Sequence, residues 1–287
     1  MKQRRLMGLF CCILLMMIGF ALQGNIGLYF NLAAFCIVIG GTLGATLISF
    51  RTKRLAILWH ILKGTKKPIK EPDEIVQTLI DLSVKSKLRG LLSLQEDEKE
   101  VWSLFLRRAL GFVVDGYPTA EIRDILCTEM SFFKARREES ERVLRTMAEI
   151  CPSFGLVGSV VGLIAMLSGG GGDSGIILST IPIALTSTLY GVIFSNFFLL
   201  PFAANIRERT NQELLLQKII LEGIMAIQNE LNPRILEVKL KSFLTPSSRN
   251  VKLISIERIR EKFNIQSGPE KRPLKAKPSM RVSPAQV

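Results

Sequence analysis

Hydroxyl groups set in charge-free apolar sequence are the most chemically suggestive feature of this chain. Thr180, Thr186, Ser187, Thr188, Tyr190 and Ser195 all fall within Ser174 to Ile206, a run without Asp, Glu, Lys, Arg or His. Ser159 lies in a second such run, between Glu149 and Asp173. In these surroundings a hydroxyl either bonds back to a carbonyl of its own helix or lines a polar path that replaces part of an ion's water. The triplet Thr186-Ser187-Thr188 spreads its hydroxyls over more than one helix face, so both uses are open to it. These runs hold no group able to bind and release a proton at mid-membrane. If ions pass, the titratable carboxylate has to come from a partner.

Other chemistries are poorly provided for. His60 is the only histidine, and beside Trp59 it fits an interfacial position better than a ligand role. Gly169 to Gly172 lacks the lysine of a phosphate-binding loop and is expected to be a flexible turn. Cys11, Cys12 and Cys36 fall in apolar runs, while Cys127 and Cys151 fall in or next to a segment where thiols stay reduced. No cysteine pair has metal-ligand spacing with a histidine. The chain is therefore expected to hold no metal or cofactor and not to be an enzyme.

The elements that position the hydroxyls are set by charge segregation. The 287-residue chain has a net charge of +13, yet Leu6 to Phe50 also contains no charged residue. A buried charge costs at least about 2.5 kcal/mol in hydrocarbon, so such runs belong in a bilayer. A crossing needs roughly 20 apolar residues for about 30 Å. Leu6 to Leu22 and Leu28 to Phe50 supply two, joined by the polar turn 23–27. Pro152 to Leu167 and Ile177 to Ala204 supply two more, joined by the glycine run. Leu6 to Leu22 is expected to be retained as a span, since no A-x-A cleavage site follows it. Lys2, Arg4 and Arg5, then Arg51, Lys53 and Arg54, then Arg142 and Arg145, then Arg207 and Arg209 flank the spans on one side, and the connections 23–27 and 169–176 have no basic residue. Both termini are thereby expected in the cytoplasm.

The remaining segments are expected to be helical. Ile75, Val76, Leu79, Ile80 and Leu82 share one face of a helix over Glu74 to Val84, and a second helix fits Glu98 to Val114. Thr119 is placed to cap a third, Ala120 to Ile150, which runs straight into the third span and would tie the cytoplasmic part stiffly to the membrane part. Arg207 to Leu240 forms another amphipathic helix continuing the fourth span. From Pro246 onwards the composition is that of a tail, with ten Lys or Arg against three Glu between Arg249 and Arg281, suited to anionic lipid or a docking partner. The expected fold is all-α, a polytopic membrane protein with four transmembrane helices and a helical cytoplasmic domain between the second and third. Its expected divisions are 1–50 (two spans), 51–150 (cytoplasmic), 151–206 (two spans), 207–244 (cytoplasmic helix) and 245–287 (basic tail). Gly40, Gly41 and Gly44 in the second span and Gly155, Gly158 and Gly162 in the third permit close helix approach, either within one chain or in a tightly packed oligomer.

Four sequence stretches together resemble the MotA/TolQ/ExbB family, and within it the flagellar stator type, MotA. They are Gly40-Gly-Thr-Leu-Gly-Ala45, Lys87-Leu-Arg-Gly-Leu-Leu-Ser-Leu94, Pro152-Ser-Phe-Gly-Leu-Val-Gly-Ser-Val-Val-Gly-Leu163 and Ala184-Leu-Thr-Ser-Thr-Leu-Tyr-Gly191. The resemblance covers roughly residues 1–240. Two spans precede the cytoplasmic segment, as in MotA, whereas the TolQ and ExbB types have one.

The resemblance implies a pentamer around two copies of a MotB-like, single-span, peptidoglycan-binding partner that supplies an essential Asp. It also implies rotation against the rotor protein FliG. No nucleic-acid partner is expected, since the basic flanks of the spans explain much of the positive charge. Ser159, Thr186, Ser187 and Thr188 would belong to the ion path, and Pro152 and Pro201 to conformational coupling, as hinges or as fixed kinks. Lys87, Arg89, Glu96 and Glu98 correspond approximately to the family's rotor-contact charges, although Gln95 stands where Glu is common. The ion is expected to be a proton, with sodium as the alternative that the hydroxyls at 159, 187 and 188 suit. The same machinery could serve gliding or outer-membrane import, and a non-conducting scaffold is the alternative outside transport.

Overall fold

The computed structural model describes residues 14–15, 18–19, 22, 24, 26–64, 70–101, 103–168 and 174–244. The expected span Leu6 to Leu22 lies mostly outside the described residues, and the glycine run 169–172 and the tail from 245 lie wholly outside them. All regular structure among the described residues is helical. The helices are α1 (Leu32–Ser49), α2 (Thr52–Gly64), α3 (Pro72–Arg89), α4 (Gln95–Glu100), α5 (Leu104–Val114), α6 (Thr119–Ser168), α7 (Ser174–Ile193), α8 (Leu200–Gln228) and α9 (Pro233–Lys241). A π turn, Phe194–Leu199, joins α7 to α8, and another, Cys36–Gly40, lies within α1. Among the described residues, three helical stretches are long and apolar enough to cross a membrane: Leu32–Ser49, Thr119–Ser168 and Thr180–Gln228. The chain divides into two compact units, residues 1–71 with 120–218, and residues 72–119 with 219–287.

In the first unit α1 begins at Asn31, whose side chain accepts a hydrogen bond from Ala34 N at 3.1 Å and so satisfies one of the helix's orphan donors. Thr42 and Thr46 donate to the carbonyls four residues back, both at 2.6 Å, which lets them sit buried without an unmet proton. Leu58 of α2 packs against Val143, Leu144, Ala203 and Ile206, with Leu55, Ile61 and Met147 around them. Arg54 pairs with Glu139 at 2.7 Å on the same side. α6 is a single helix of 50 residues with Pro152 inside it, about 75 Å long at the usual rise.

Along α6 the burial pattern changes sign. Before Pro152 the buried side chains include Val143, Leu144 and Ala148, as in a protein that hides apolar groups from water. After it the buried positions are Gly155, Gly158 and Gly162, while Leu156, Val157, Val160, Val161, Leu163 and Ile164 are exposed. Large apolar groups outside and small ones inside are what hydrocarbon selects, because lipid rewards close backbone packing and charges nothing for exposed leucine.

The second unit is built on water's terms. Leu79, Ile80, Leu94, Leu106, Leu110, Ile220 and Ile224 are almost fully buried, each contributing about 1.5–3 kcal/mol. α3 carries Asp73 and Glu74 in its first turn and Lys87 and Arg89 in its last, matching the helix dipole at both ends. Gly90 follows at φ +84°, a conformation that glycine adopts without strain, and the 3-10 turn Leu91–Leu94 returns Leu94 to the core.

Three expected elements take a different form. The helix expected over Glu98 to Val114 is two helices, α4 and α5. Val101 and Ser103 are extended, and the Ser103 side chain accepts from Leu106 N to start α5. The helix expected over Arg207 to Leu240 is likewise two. Glu230 has φ 51°, Asn232 accepts from Arg234 N at 3.0 Å, and Pro233 opens α9 where a missing N–H does no harm. Thr119 begins α6 itself, and its hydroxyl donates to Asn229 Oδ1 at 3.4 Å.

Candidate functional site at the seam of two apolar helices

Glycines on α6 bring α7 close enough for the backbones to touch. A Cβ added to Gly155 would lie 2.9 Å from the Ser187 carbonyl oxygen, and one on Gly162 would lie 2.9 Å from Ala184 N. One on Gly191 of α7 would lie 2.9 Å from the Cys151 carbonyl and 3.0 Å from Pro152 Cα. Such contact leaves room at the seam only for small side chains, among them the Ser187 hydroxyl facing Gly158.

Ser159 and Thr188 are brought together there. Ser159 Oγ lies 2.6 Å from Thr188 Oγ1, 2.6 Å from the Ala184 carbonyl and 3.2 Å from that of Gly155. Each hydroxyl has one proton and two lone pairs. With the Ser159 proton on Ala184 O, Thr188 donates to Ser159, and both lone pairs of Thr188 Oγ1 stay open. Both residues are half-buried. The pair thus offers acceptor oxygens, suited to a protonated carboxyl or a partly dehydrated cation, without an ionisable group of its own.

The other two candidate hydroxyls are turned inward. Thr186 Oγ1 donates to Pro182 O at 2.5 Å and Ser187 Oγ to Ile183 O at 2.7 Å, and both residues are buried. These bonds are back-bonds within α7, and the one from Thr186 engages the carbonyl of a proline already inside the helix.

Further contacts in this region join positions far apart in sequence. The Tyr190 hydroxyl donates to the Tyr29 carbonyl and accepts from Asn31 N at 3.0 Å, holding the entry to α1 against α7. Phe35 meets the Tyr190 and Phe194 rings edge-on, at 6.4 and 5.8 Å between centroids. Ser195 Oγ donates to the Ala148 carbonyl at 2.7 Å. Only the apolar, hydroxyl-bearing character of these positions shows in the sequence, because their partners are 47 to 161 residues away.

The candidate coupling prolines differ in surroundings. Pro152 is half-buried at the seam, whereas Pro201 is exposed and follows the π turn Phe194–Leu199. The candidate rotor charges all belong to the second unit. Lys87, Arg89 and Glu96 are exposed and Glu98 is half-buried. A residue outside that set holds one of them: Lys85, its side chain only 4% exposed, reaches Glu96 at 3.4 Å and Asp97 at 2.7 Å, fastening α4 to α3.

Glycine-packed helices, apolar outside and hydroxyl-lined within, define a polytopic helical membrane protein of the ion-path class. The model of the MotA/TolQ/ExbB proton channel family matches residues 97–218. Motility protein A of Treponema phagedenis is 31% identical over 246 residues, covering 84% of this chain and 93% of that one. The solved structure of C. jejuni MotAB superposes with a TM-score of 0.80 at 26% identity, covering 89% of this chain and 99% of that one. The flagellar MotAB stator complex from Bacillus subtilis does so with a TM-score of 0.78 at 27% identity, covering 85% and 96%. The chain belongs to the MotA/TolQ/ExbB proton channel family, a family of channels rather than enzymes.

Proposed function

We propose that this chain is the ion-conducting stator subunit of the bacterial flagellar motor, which couples ion flow across the inner membrane to rotation against the rotor. The observation that carries this reading is the Ser159–Thr188 pair: open oxygen acceptors in a charge-free seam that lacks a carboxylate. Such a path works only when a partner inserts one. The solved relatives are complexes of MotA with MotB, which supports a single-span, peptidoglycan-anchored partner supplying an Asp, with five copies of this chain around it.

In this reading the spans are four, with Leu6 to Leu22 the first, and both termini are cytoplasmic, as the flanking basic residues favour. The second unit is the cytoplasmic domain, and its Lys87, Arg89, Glu96 and Glu98 face FliG. Thr188, supported by Ser159, meets the ion, while Thr186 and Ser187 hold the α7 backbone that presents it. Pro152 within α6 and Pro201 at the start of α8 are the coupling positions, acting as hinges or as fixed kinks. The basic tail rests on anionic lipid.

Co-expression with the MotB-like partner in a motile strain lacking its own stators tests this. Rotation of tethered cells that needs both chains is the expected result. Absence of rotation with both chains inserted, or ion leak unchanged when the partner's membrane Asp is replaced by Asn, would sink it.

A further inference from the structure

Pro152 creates a specific deficit. It has no N–H, so the carbonyl four residues back, that of Ala148, loses its helical donor in the interior of α6. An acceptor left unmatched in an apolar setting is costly, and Ala148 is 3% exposed. The missing donor comes from the other helix. Ser195, itself 4% exposed, places Oγ 2.7 Å from Ala148 O, and the Gly191 backbone one turn earlier rests on Cys151 O and Pro152 Cα with no side chain between.

Ser195 also stands in the π turn that precedes the second proline. Its own carbonyl accepts from Leu200 N, the residue immediately before Pro201. One residue therefore bonds through its side chain to the carbonyl orphaned by Pro152, and through its backbone to the turn that admits Pro201. Such π turns occur mostly as single turns inserted in α-helices, frequently at functional sites.

We infer that Ser195 is a positioning residue for the motor cycle, whose hydroxyl caps the proline-freed Ala148 carbonyl and so makes the bend of α6 follow the π turn after α7. This rests on the stator function proposed above. Making and breaking this one bond distinguishes a straightened from a bent α6, and carries movement at the ion path into the helix that continues towards the charged end of α6.

The test is a double-mutant cycle in the full chain with its partner. Ser195→Ala should slow tethered-cell rotation roughly threefold to tenfold at equal membrane levels, the scale of one buried hydrogen bond. Ser195→Thr, which keeps the hydroxyl, should restore most of it. In Pro152→Ala the new N–H at position 152 satisfies Ala148 O, so Ser195→Ala should then lower the melting temperature of the detergent-purified complex much less than it does beside proline. Equal losses in both backgrounds would overturn the capping, and wild-type rotation by Ser195→Ala would overturn the positioning role. Wild-type protein is the control: if it fails to drive rotation, the stator function fails independently of Ser195.

Discussion

In the proposed function Thr188 is the residue that meets the ion: of the four candidate hydroxyls only those of Ser159 and Thr188 are partly exposed, and with Thr188 donating to Ser159 both lone pairs of Thr188 Oγ1 stay open. Thr188→Val keeps the shape and removes the oxygen. It is expected to reduce ion flux through the complex with its partner roughly twofold to tenfold, corresponding to about 0.5–1.5 kcal/mol, measured as the acidification rate or sodium uptake of vesicles. Thr186→Val should change flux far less, since its proton is held by Pro182 O. Equal effects of the two would reject the division of roles. Lys85 makes the corresponding point in the second unit. Lys85→Met leaves the Asp97 carboxylate, 20% exposed, without its cation. A fully buried pair would lose about 3–5 kcal/mol, and partial access to water reduces this to about 1–3 kcal/mol. Thermal unfolding of the purified chain followed by circular dichroism should show the loss, and Lys87→Met, at an exposed position, should not.

At the scale of elements, glycines sort by what faces them. Gly155, Gly158, Gly162 and Gly191 are pressed against the partner helix of the same chain, and Gly41 lies under the Phe154 ring. Among the described residues, nothing lies within 4 Å of where a Cβ would stand on Gly40 or Gly44. The close approach of the third span's glycines is thus met by α7 of the same chain. Gly162→Val forces side-chain atoms into the Ala184 backbone, which cannot give way as a flexible side chain can. The expected cost is about 1–3 kcal/mol, visible as a lower melting temperature in detergent. Gly44→Val should leave the melting of the monomer unchanged, and a drop as large as that of Gly162→Val would show that α1 packs otherwise.

At the scale of the molecule, two kinds of packing occur in one chain, an apolar core in the second unit and a small-residue seam in the first. Ion choice is expressed only at this scale, in assembled motors. Replacing external Na⁺ with K⁺ at fixed pH is expected to leave rotation speed unchanged, as a proton-driven machine requires, and a stop on Na⁺ removal would assign sodium instead. The membrane character of the chain, its helical class and the main apolar stripes were legible in residue types, since burying charge in lipid is so expensive that composition alone excludes alternatives. The breaks at Val101–Ser103 and Asn229–Asn232 were signalled locally by a capping serine and by Asn-Pro, but amphipathic periodicity running through both made one helix the simpler expectation. Lys85 beneath Asp97, Tyr190 against Tyr29 and Ser195 on Ala148 O had no local signal. By itself the sequence determined that the chain carries charge-free apolar runs of the kind lipid selects, and that those runs hold no carboxylate. Only the tertiary structure decided which hydroxyls stay open and which carbonyl the proline's deficit falls on, because a hydrogen bond is settled by distances of a few tenths of an ångström between residues that the chain keeps far apart.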